Sequence, residues 1–516
     1  MDFIALLIFI YIMYVVLKKA FETIGFTANN SINDVNNQNF MSKFNPLMII
    51  INLLKGILGF LFGGFNNTGM MGYFGKNKFF KSSNQGLLIN GDDLKLSKKE
   101  SFNHLGIIAR SGAGKTTSFI IPNILHLANK NNSMIVTDLS GELYNKTSGY
   151  MSSKGYKIYV LDPENLAESI RYNPLYYATS SSSIELITET LIKSAYSGEI
   201  NPSDRMWLDG AKTIISIFIK VLIRTKEFKY INLANVKYLL NHFGSTGENL
   251  NDFIFKYGND KIITEWYGFT SGNEKTIQSF ISTANMVLNT IGVNDNLEIL
   301  TANHTFNFDN LRKEKSIVYI RIPPHKQEQY NFLQNLFYTQ FFNNILDNLP
   351  SKNDLPIFCL LDEFGNMSIP SFSSIITTIR KYEVSISIVL QDLSQLEKRY
   401  GRNEANSIIN GGIGGTIFFS GAGLDINSDI EKILGFKYVE RVDINGVYQT
   451  YKEPVMSVRE IRTMGDNEIL FIYSNKLPMK INTIPYYKKL ISRNKTNRIP
   501  YKVKVNESIE NIEYIN

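Results

Sequence analysis

Ala109-Arg110-Ser111-Gly112-Ala113-Gly114-Lys115-Thr116 follows the apolar run His104–Ala109 and precedes the apolar stretch Thr117–Leu127. Strand, glycine-rich turn and helix in that order make a phosphate cradle. Backbone N–H groups converge on an anion only in a tight turn, which Gly112 and Gly114 permit, and the start of the next helix adds partial positive charge. Lys115 would reach the β- and γ-phosphates of ATP, and Thr116 would hold Mg²⁺. The cradle is then Arg110, Ser111, Gly112, Ala113, Gly114, Lys115, Thr116 and Thr117. Ala109 stands where the usual pattern has its first Gly. A chance glycine-rich turn would lack the flanking strand and helix.

A second stretch, Ile357-Phe358-Cys359-Leu360-Leu361-Asp362-Glu363, is an apolar strand ending in two acids. Asp362 would bind Mg²⁺, directly or through water, and Glu363 would polarise the attacking water, a task needing a carboxylate within hydrogen-bond reach. Many strands end in acids, so this motif gains weight only from its pairing with the P-loop. Two acids rather than a lone Asp favour a hydrolysing motor over a slow switch. Gln391 ends the next strand-like run, Ser385–Leu390, where a polar side chain can sense the γ-phosphate; an ordinary loop amide is the competing reading. Arg380 follows the helical stretch Phe372–Ile379 and is a candidate arginine finger for a neighbouring subunit's ATP. On the residues alone, a surface arginine without a role competes with it closely. Arg399 and Arg402 are weaker candidates.

The 516 residues, 44% hydrophobic and 20% charged, suffice for about three domains. A single cysteine, Cys359, excludes an intramolecular disulfide framework, and its apolar setting marks a buried, inert thiol. Five scattered histidines and one cysteine offer no metal-ligand cluster, so metal should arrive with a nucleotide. The net charge of +7 suits acidic partners such as DNA or anionic lipid, without singling either out.

Strand-like runs at His104–Ala109, Met134–Asp138, Lys157–Leu161, Ser316–Ile322, Ile357–Leu361, Ser385–Leu390 and Thr416–Ser420 are short and rich in β-branched residues, as buried parallel strands are. Between about 180 and 305 the pattern turns helical, at Ile184–Ala195, Arg205–Thr225, Leu233–His242, Lys261–Phe269 and Glu274–Ile291. The expected fold is α/β, with an all-helical insertion explaining the long gap between Lys115 and Asp362. Trp207 and Trp266 in that insertion are expected to pack in its core rather than at an interface.

The N-terminal part carries two apolar runs. Phe3–Leu17 has no charge; as a helix it spans roughly 22 Å against about 30 Å of hydrocarbon, and Lys18 and Lys19 can snorkel at its end. Asp2 precedes the run and no small-residue cleavage site follows, which favours an uncleaved anchor. Leu47–Phe65 contains Lys55 and is expected to complete a hairpin, with Lys76, Lys78 and Lys81 on the cytoplasmic side. Lys18 and Lys19 then fall on the other side, so charge leaves the topology open. The expected organisation is a membrane anchor of two transmembrane helices at 1–80, a nucleotide-binding domain at 81–179 and 306–490, an all-alpha domain at 180–305, and a basic, polar tail at 491–516.

With these blocks in place the chain resembles the type IV secretion coupling proteins, the membrane ATPases of bacterial conjugation. Besides Ser111–Thr116, the resemblance rests on Ile120-Ile121-Pro122-Asn123-Ile124-Leu125, on Asp138-Leu139-Ser140-Gly141-Glu142-Leu143 with Ser140 in place of the family's Lys, and on Leu161-Asp162-Pro163. Tyr172-Asn173-Pro174-Leu175, Leu361-Asp362-Glu363-Phe364-Gly365-Asn366-Met367, Gln391-Asp392-Leu393-Ser394-Gln395-Leu396 and Tyr400-Gly401 follow in order. The resemblance implies a RecA-like nucleotide domain, a homo-hexamer on the cytoplasmic face of the cell membrane, and ATP bound between subunits. It further implies single-stranded DNA with its relaxase as substrate, together with accessory transfer proteins and type IV secretion channel proteins as partners. It places the sensor at Gln391 and the arginine finger at Arg380. A double-stranded DNA pump of the septal kind would share both motifs but usually has more membrane helices and a terminal winged helix, whereas Tyr438–Glu510 reads as strands and a polar tail. A non-hydrolysing docking receptor is the alternative from another class; the intact Lys115, Asp362 and Glu363 speak against it.

Overall fold

The computed structural model describes residues 69–196, 202–243, 247–421, 423–442, 446–503 and 512–515. The runs Phe3–Leu17 and Leu47–Phe65, expected to form the anchor, lie outside the described residues. No helix of the described residues is long and apolar enough to cross a membrane.

The strands are β1 (Leu105–Ile108), β2 (Ser133–Asp138), β3 (Lys157–Leu161), β4 (Ser316–Arg321), β5 (Ile357–Leu361), β6 (Val384–Leu390), β7 (Gly415–Phe419), β8 (Phe436–Val442), β9 (Tyr448–Pro454), β10 (Glu468–Tyr473) and β11 (Met479–Asn482). Nine of them form one sheet in the order β11-β10-β7-β1-β6-β5-β2-β4-β3. β7 through β3 in that order are parallel, and β10 and β11 extend the sheet antiparallel. β8 and β9 pair only with each other.

The central strands are buried on both faces, which is why they appear in sequence as continuous apolar runs. Alternate residues feed two cores. Leu105, Ile107, Met134, Val136, Phe358 and Leu360 pack under the P-loop helix and helix Glu142–Ser153. Ile135, Cys359, Leu361, Ile386 and Ile388 pack on the other face, against the long helix Gln327–Asp347. Cys359 is fully buried and free, and burial pushes its thiol well up.

Between β3 and β4 the described residues contain helices and no strand. The principal helices there are Ser181–Ala195, Pro202–Arg224, Leu233–His242, Gly247–Tyr257, Asp260–Thr270, Glu274–Val287 and Asp295–Ala302. Helix starts follow local chemistry: the Ser180 side chain accepts from Ser183 N–H, Asn232 from Asn235 N–H, and Asn259 from Ile262 N–H. Trp266 is 2% exposed, packs at a tilt against Phe218 and edge-on to Phe243, and donates its indole N–H to Asn251 Oδ1 at 2.8 Å. Trp207 packs against Phe280.

The stretch from 491 to 503 is bound to the nucleotide domain. Helix Leu490–Thr496 lies against helix Glu142–Ser153, Tyr501 N–H donates to Ser148 Oγ at 3.0 Å, and the Tyr144 hydroxyl donates to the Tyr501 carbonyl. Gly149 permits the approach: a Cβ there would lie 2.1 Å from the Ile499 carbonyl oxygen.

Candidate nucleotide-binding site

β1 ends at Ile108, and Ala109 N–H bonds the Leu390 carbonyl at 2.9 Å, so the P-loop starts beside the end of β6. Gly112 and Gly114 have φ of 80° and 89°, a region that costs an L side chain energy, and nothing lies within 4 Å of a Cβ built on Gly112. The cradle is therefore open above Gly112. Arg110, Ser111 and Gly112 are exposed, and Arg110 Nη1 donates to the Gly421 carbonyl at 3.2 Å. A π-helical turn, Thr116–Ile120, runs directly into helix Ile121–Leu127. Thr117 Oγ1 donates to the Gly114 carbonyl at 3.2 Å, tying the loop to that first turn.

The order β1-β6-β5 sets β6 between the P-loop strand and the acidic strand. This brings four expected site residues into one connected group. Lys115 Nζ lies 2.7 Å from Glu363 Oε1 and 3.2 Å from Asp362 Oδ1. Gln391 Nε2 donates to both oxygens of Glu363, at 3.1 and 2.9 Å. Burial opposes the Lys115 charge, yet Asp362 and Glu363 together hold the ammonium above its usual range. Burial pushes the Asp362 carboxyl up, against the pull of Lys115. A buried carboxylate of that kind is relieved by a hard cation, so Asp362 beside the P-loop suits a Mg²⁺ ligand.

Glu363 has φ 54° and ψ 40°, the left-handed region that a side-chain-bearing residue seldom occupies. Its N–H donates to Asp362 Oδ1 at 3.1 Å. The bend directs the Glu363 carboxylate back to Lys115 and Gln391, and such local strain, about 1–3 kcal/mol, collects at functional sites.

Arg380 does not join this group. It is exposed on the turn Ile379–Tyr382, which precedes β6, and so lies at the opposite end of the parallel strands from the P-loop. Lys98, Lys99 and Lys381 share its cleft.

Two further side chains adjoin this group, one inside the block Gln391–Leu396 and one outside any quoted block. Gln395 Oε1 accepts the Gln391 N–H at 3.1 Å and is packed against Gly365, where a Cβ would lie 2.5 Å from Gln395 Oε1. Arg321, at the end of β4, lies 3.2 Å from Asp162 and beside Gly141, and its guanidinium covers the Tyr144 ring. It supplies positive charge next to the loop in which Ser140 replaces the family's Lys. Asp138, the last residue of β2 before that loop, is buried and accepts the N–H groups of Leu143 and Tyr144 at 3.2 and 2.8 Å. Arg321 finds its neighbours beside other strands, so only the pairing of β2, β4 and β3 reveals it.

Residues 73–511 match the family described as type IV secretory system conjugative DNA transfer. The chain belongs to that family. Among its relatives are the VirD4 proteins of Rhizobium rhizogenes and Agrobacterium fabrum (strain C58), each 24% identical over 409 residues, 74% of this chain and 58% of theirs. The chain thus spans under two thirds of the length of the curated relatives it matches. The fold is that of the plasmid coupling protein TrwB. Its form with the non-hydrolysable analogue GDPNP has a TM-score of 0.64 at 15% identity, covering 79% of this chain and 91% of that one. Its form with ADP and Mg²⁺ has a TM-score of 0.63 at 14% identity, covering 80% of this chain and 92% of that one. The likeness is one of fold, a mixed α/β architecture with a parallel sheet.

Proposed function

We propose that this chain is a membrane-anchored coupling ATPase. It binds ATP and Mg²⁺ and uses hydrolysis to drive single-stranded DNA with its relaxase into a type IV secretion channel during conjugation. The observation that carries this reading is the bonded set Lys115–Glu363–Gln391, with Asp362 on the same lysine. A docking receptor would have no use for a carboxylate held between a P-loop lysine and a sensor amide.

Bound Mg²⁺, held by Thr116 and Asp362, would supply screening of the phosphate charge. Lys115 turns from the two carboxylates to the anion, and Glu363 is left with Gln391 as its partner. Its Oε1 can then take the proton of an attacking water, with Gln391 fixing its orientation. Arg380 lies at the other end of the strands from its own P-loop, so an arginine finger role requires a second copy, in keeping with a homo-hexamer. Residues 1–80 hold the chain in the membrane with the ATPase domain in the cytoplasm. The helical domain receives the relaxase and accessory transfer proteins. TrwB complexes with ADPNP and with ADP and Mg²⁺ support the cofactor assignment.

The test is ATP turnover by the full chain in detergent, with and without single-stranded DNA, beside Lys115→Ala. DNA-stimulated turnover that vanishes in the variant supports the motor. Absence of turnover at concentrations that drive assembly overturns it in favour of a docking receptor.

A further inference from the structure

Residues 512–515, near the end of the chain, are gripped by the helical domain. Asn235 lies on helix Leu233–His242 and is fully buried. Its Nδ2 donates to the Glu513 carbonyl at 3.1 Å, and its Oδ1 accepts the Ile515 N–H at 2.8 Å. One carboxamide thus bridges the backbone on both sides of Tyr514, as a residue of a neighbouring parallel strand would. Asn232 Oδ1 accepts a second bond from Asn235 Nδ2 at 3.2 Å, which fixes the direction of the amide.

Side chains add selectivity around that backbone clamp. Lys229 Nζ meets Glu513 Oε2 at 2.6 Å. The Tyr514 hydroxyl donates to Glu298 Oε2 at 2.9 Å, and its ring lies 5.1 Å from that of Tyr238. Ile515 is 6% exposed and joins the main core, while Ile512 packs partly against it. Backbone bonds that ignore sequence, with pockets for chosen side chains, are how proteins hold peptides.

We propose that this surface is a peptide-docking groove whose resident ligand is the chain's own segment Ile512–Ile515. A segment of a transported protein with the same chemistry, an acidic residue followed by an aromatic and an aliphatic one, displaces it. The groove stands on its own geometry; only the transported protein as competitor rests on the function proposed above. While residues 512–515 occupy the groove they compete at high effective concentration, so only cargo that matches several of these contacts can enter.

The test uses a fluorescein-labelled peptide with the sequence of residues 508–516, titrated with the full chain in detergent and followed by polarisation. The double variant Tyr514→Ala, Ile515→Asp, which empties the groove, should bind the peptide at least about tenfold more tightly than the wild type does. In that background Asn235→Ala, which removes both backbone bonds, should weaken binding about tenfold or more. Lys229 is exposed, so Lys229→Glu leaves the fold alone; it should weaken binding, and a peptide carrying Glu513→Lys should restore it. Equal peptide affinity for wild type and double variant, or no recovery by charge reversal, overturns the groove. Lys229→Glu should also lower DNA transfer between cells while ATP turnover stays at the wild-type rate; unchanged transfer overturns the competitor role. Turnover is read on the same samples, so failure of the groove and failure of the ATPase reading give different results.

Discussion

Glu363→Gln separates chemistry from binding at this site, and the geometry sets the size of both effects. Lys115 is shared between Glu363 at 2.7 Å and Asp362 at 3.2 Å, with the Lys115 and Glu363 side chains only 10% and 17% exposed, so water screens the pair only in part. A hydrogen bond to a charged partner contributes about 1.5–3 kcal/mol and a neutral one about 0.5–1.5 kcal/mol, so the amide should hold Lys115 about 1–1.5 kcal/mol less tightly. A lysine released by that amount should bind nucleotide about five- to tenfold more tightly. Gln391 Nε2 now donates to both Glu363 oxygens. In the variant one of these becomes an NH₂ group, so the sensor keeps a single bond. With the base gone, hydrolysis should fall about 10²–10⁴-fold. Calorimetric titration with ATP and Mg²⁺, followed by phosphate release on the same preparation, reads both quantities. Turnover within about threefold of wild type would remove Glu363 from the role of base, and weaker nucleotide binding would mean that Lys115 is not restrained by it.

The other predictions concern the scaffold and the proposed action between copies. Burial, aided by Arg380, pushes the His104 imidazole down from 6.5 to about 3, and its Nδ1 accepts the Ile386 N–H at 3.1 Å. A depressed folded-state value contributes stability that is present above about pH 6.5 and drains as pH falls toward 3, with about 2 kcal/mol gone by about pH 5. Asn keeps an acceptor and tolerates the φ of 63° at this position, so His104→Asn should flatten that slope in urea melts; a slope like the wild type's would refute the assignment. Gly365→Ala should push Gln395 off the Gln391 N–H at a cost of about 1–3 kcal/mol and slow hydrolysis, and Gln395→Ala added to it should relieve the strain without restoring turnover. Arg380→Ala should cut turnover about 10³-fold, and mixing it with Lys115→Ala should recover part of the activity; mixtures as inactive as their components would deny a finger acting between copies.

How legible the fold was depends on where each signal is stored. The seven parallel strands lie within one or two residues of the runs at His104–Ala109, Met134–Asp138, Lys157–Leu161, Ser316–Ile322, Ile357–Leu361, Ser385–Leu390 and Thr416–Ser420. They are buried on both faces, so burial writes itself into consecutive residues. Five helical stretches between β3 and β4 were legible through one apolar face at helical spacing, whereas Gly247–Tyr257 and Asp295–Ala302 were not among them. Helix Gln327–Asp347 was not, because it is buried nearly all round and carries Asn331, Gln334, Asn335 and Gln340 inside, which erases the amphipathic pattern. The stretch 491–503 reads in sequence as part of a basic, polar tail, on the strength of Arg493, Lys495, Arg498 and Lys502. What binds it is Tyr501 with Ser148 and Tyr144, pairings between residues more than 350 positions apart.

The same distinction governs the site. Asp362, Glu363 and Gln391 could be named from sequence because they follow directly on strands, and Lys115 because it sits between a glycine-rich turn and a helix; these are local features. Their joint action is not local. It follows from the order β1-β6-β5, which sets the sensor strand between the other two, and from the left-handed turn at Glu363. Without that turn the chain would continue in the direction of β5, and two adjacent acids would point to opposite sides, as successive residues of a strand do. With it, Asp362 and Glu363 meet the same lysine. The backbone turn at Glu363 is therefore the feature that would let two neighbouring acids act as the proposed metal ligand and base. It also predicts that Glu363→Gly, which relaxes the turn but removes the carboxylate, should be as inactive as Glu363→Gln while unfolding no more readily than the wild type.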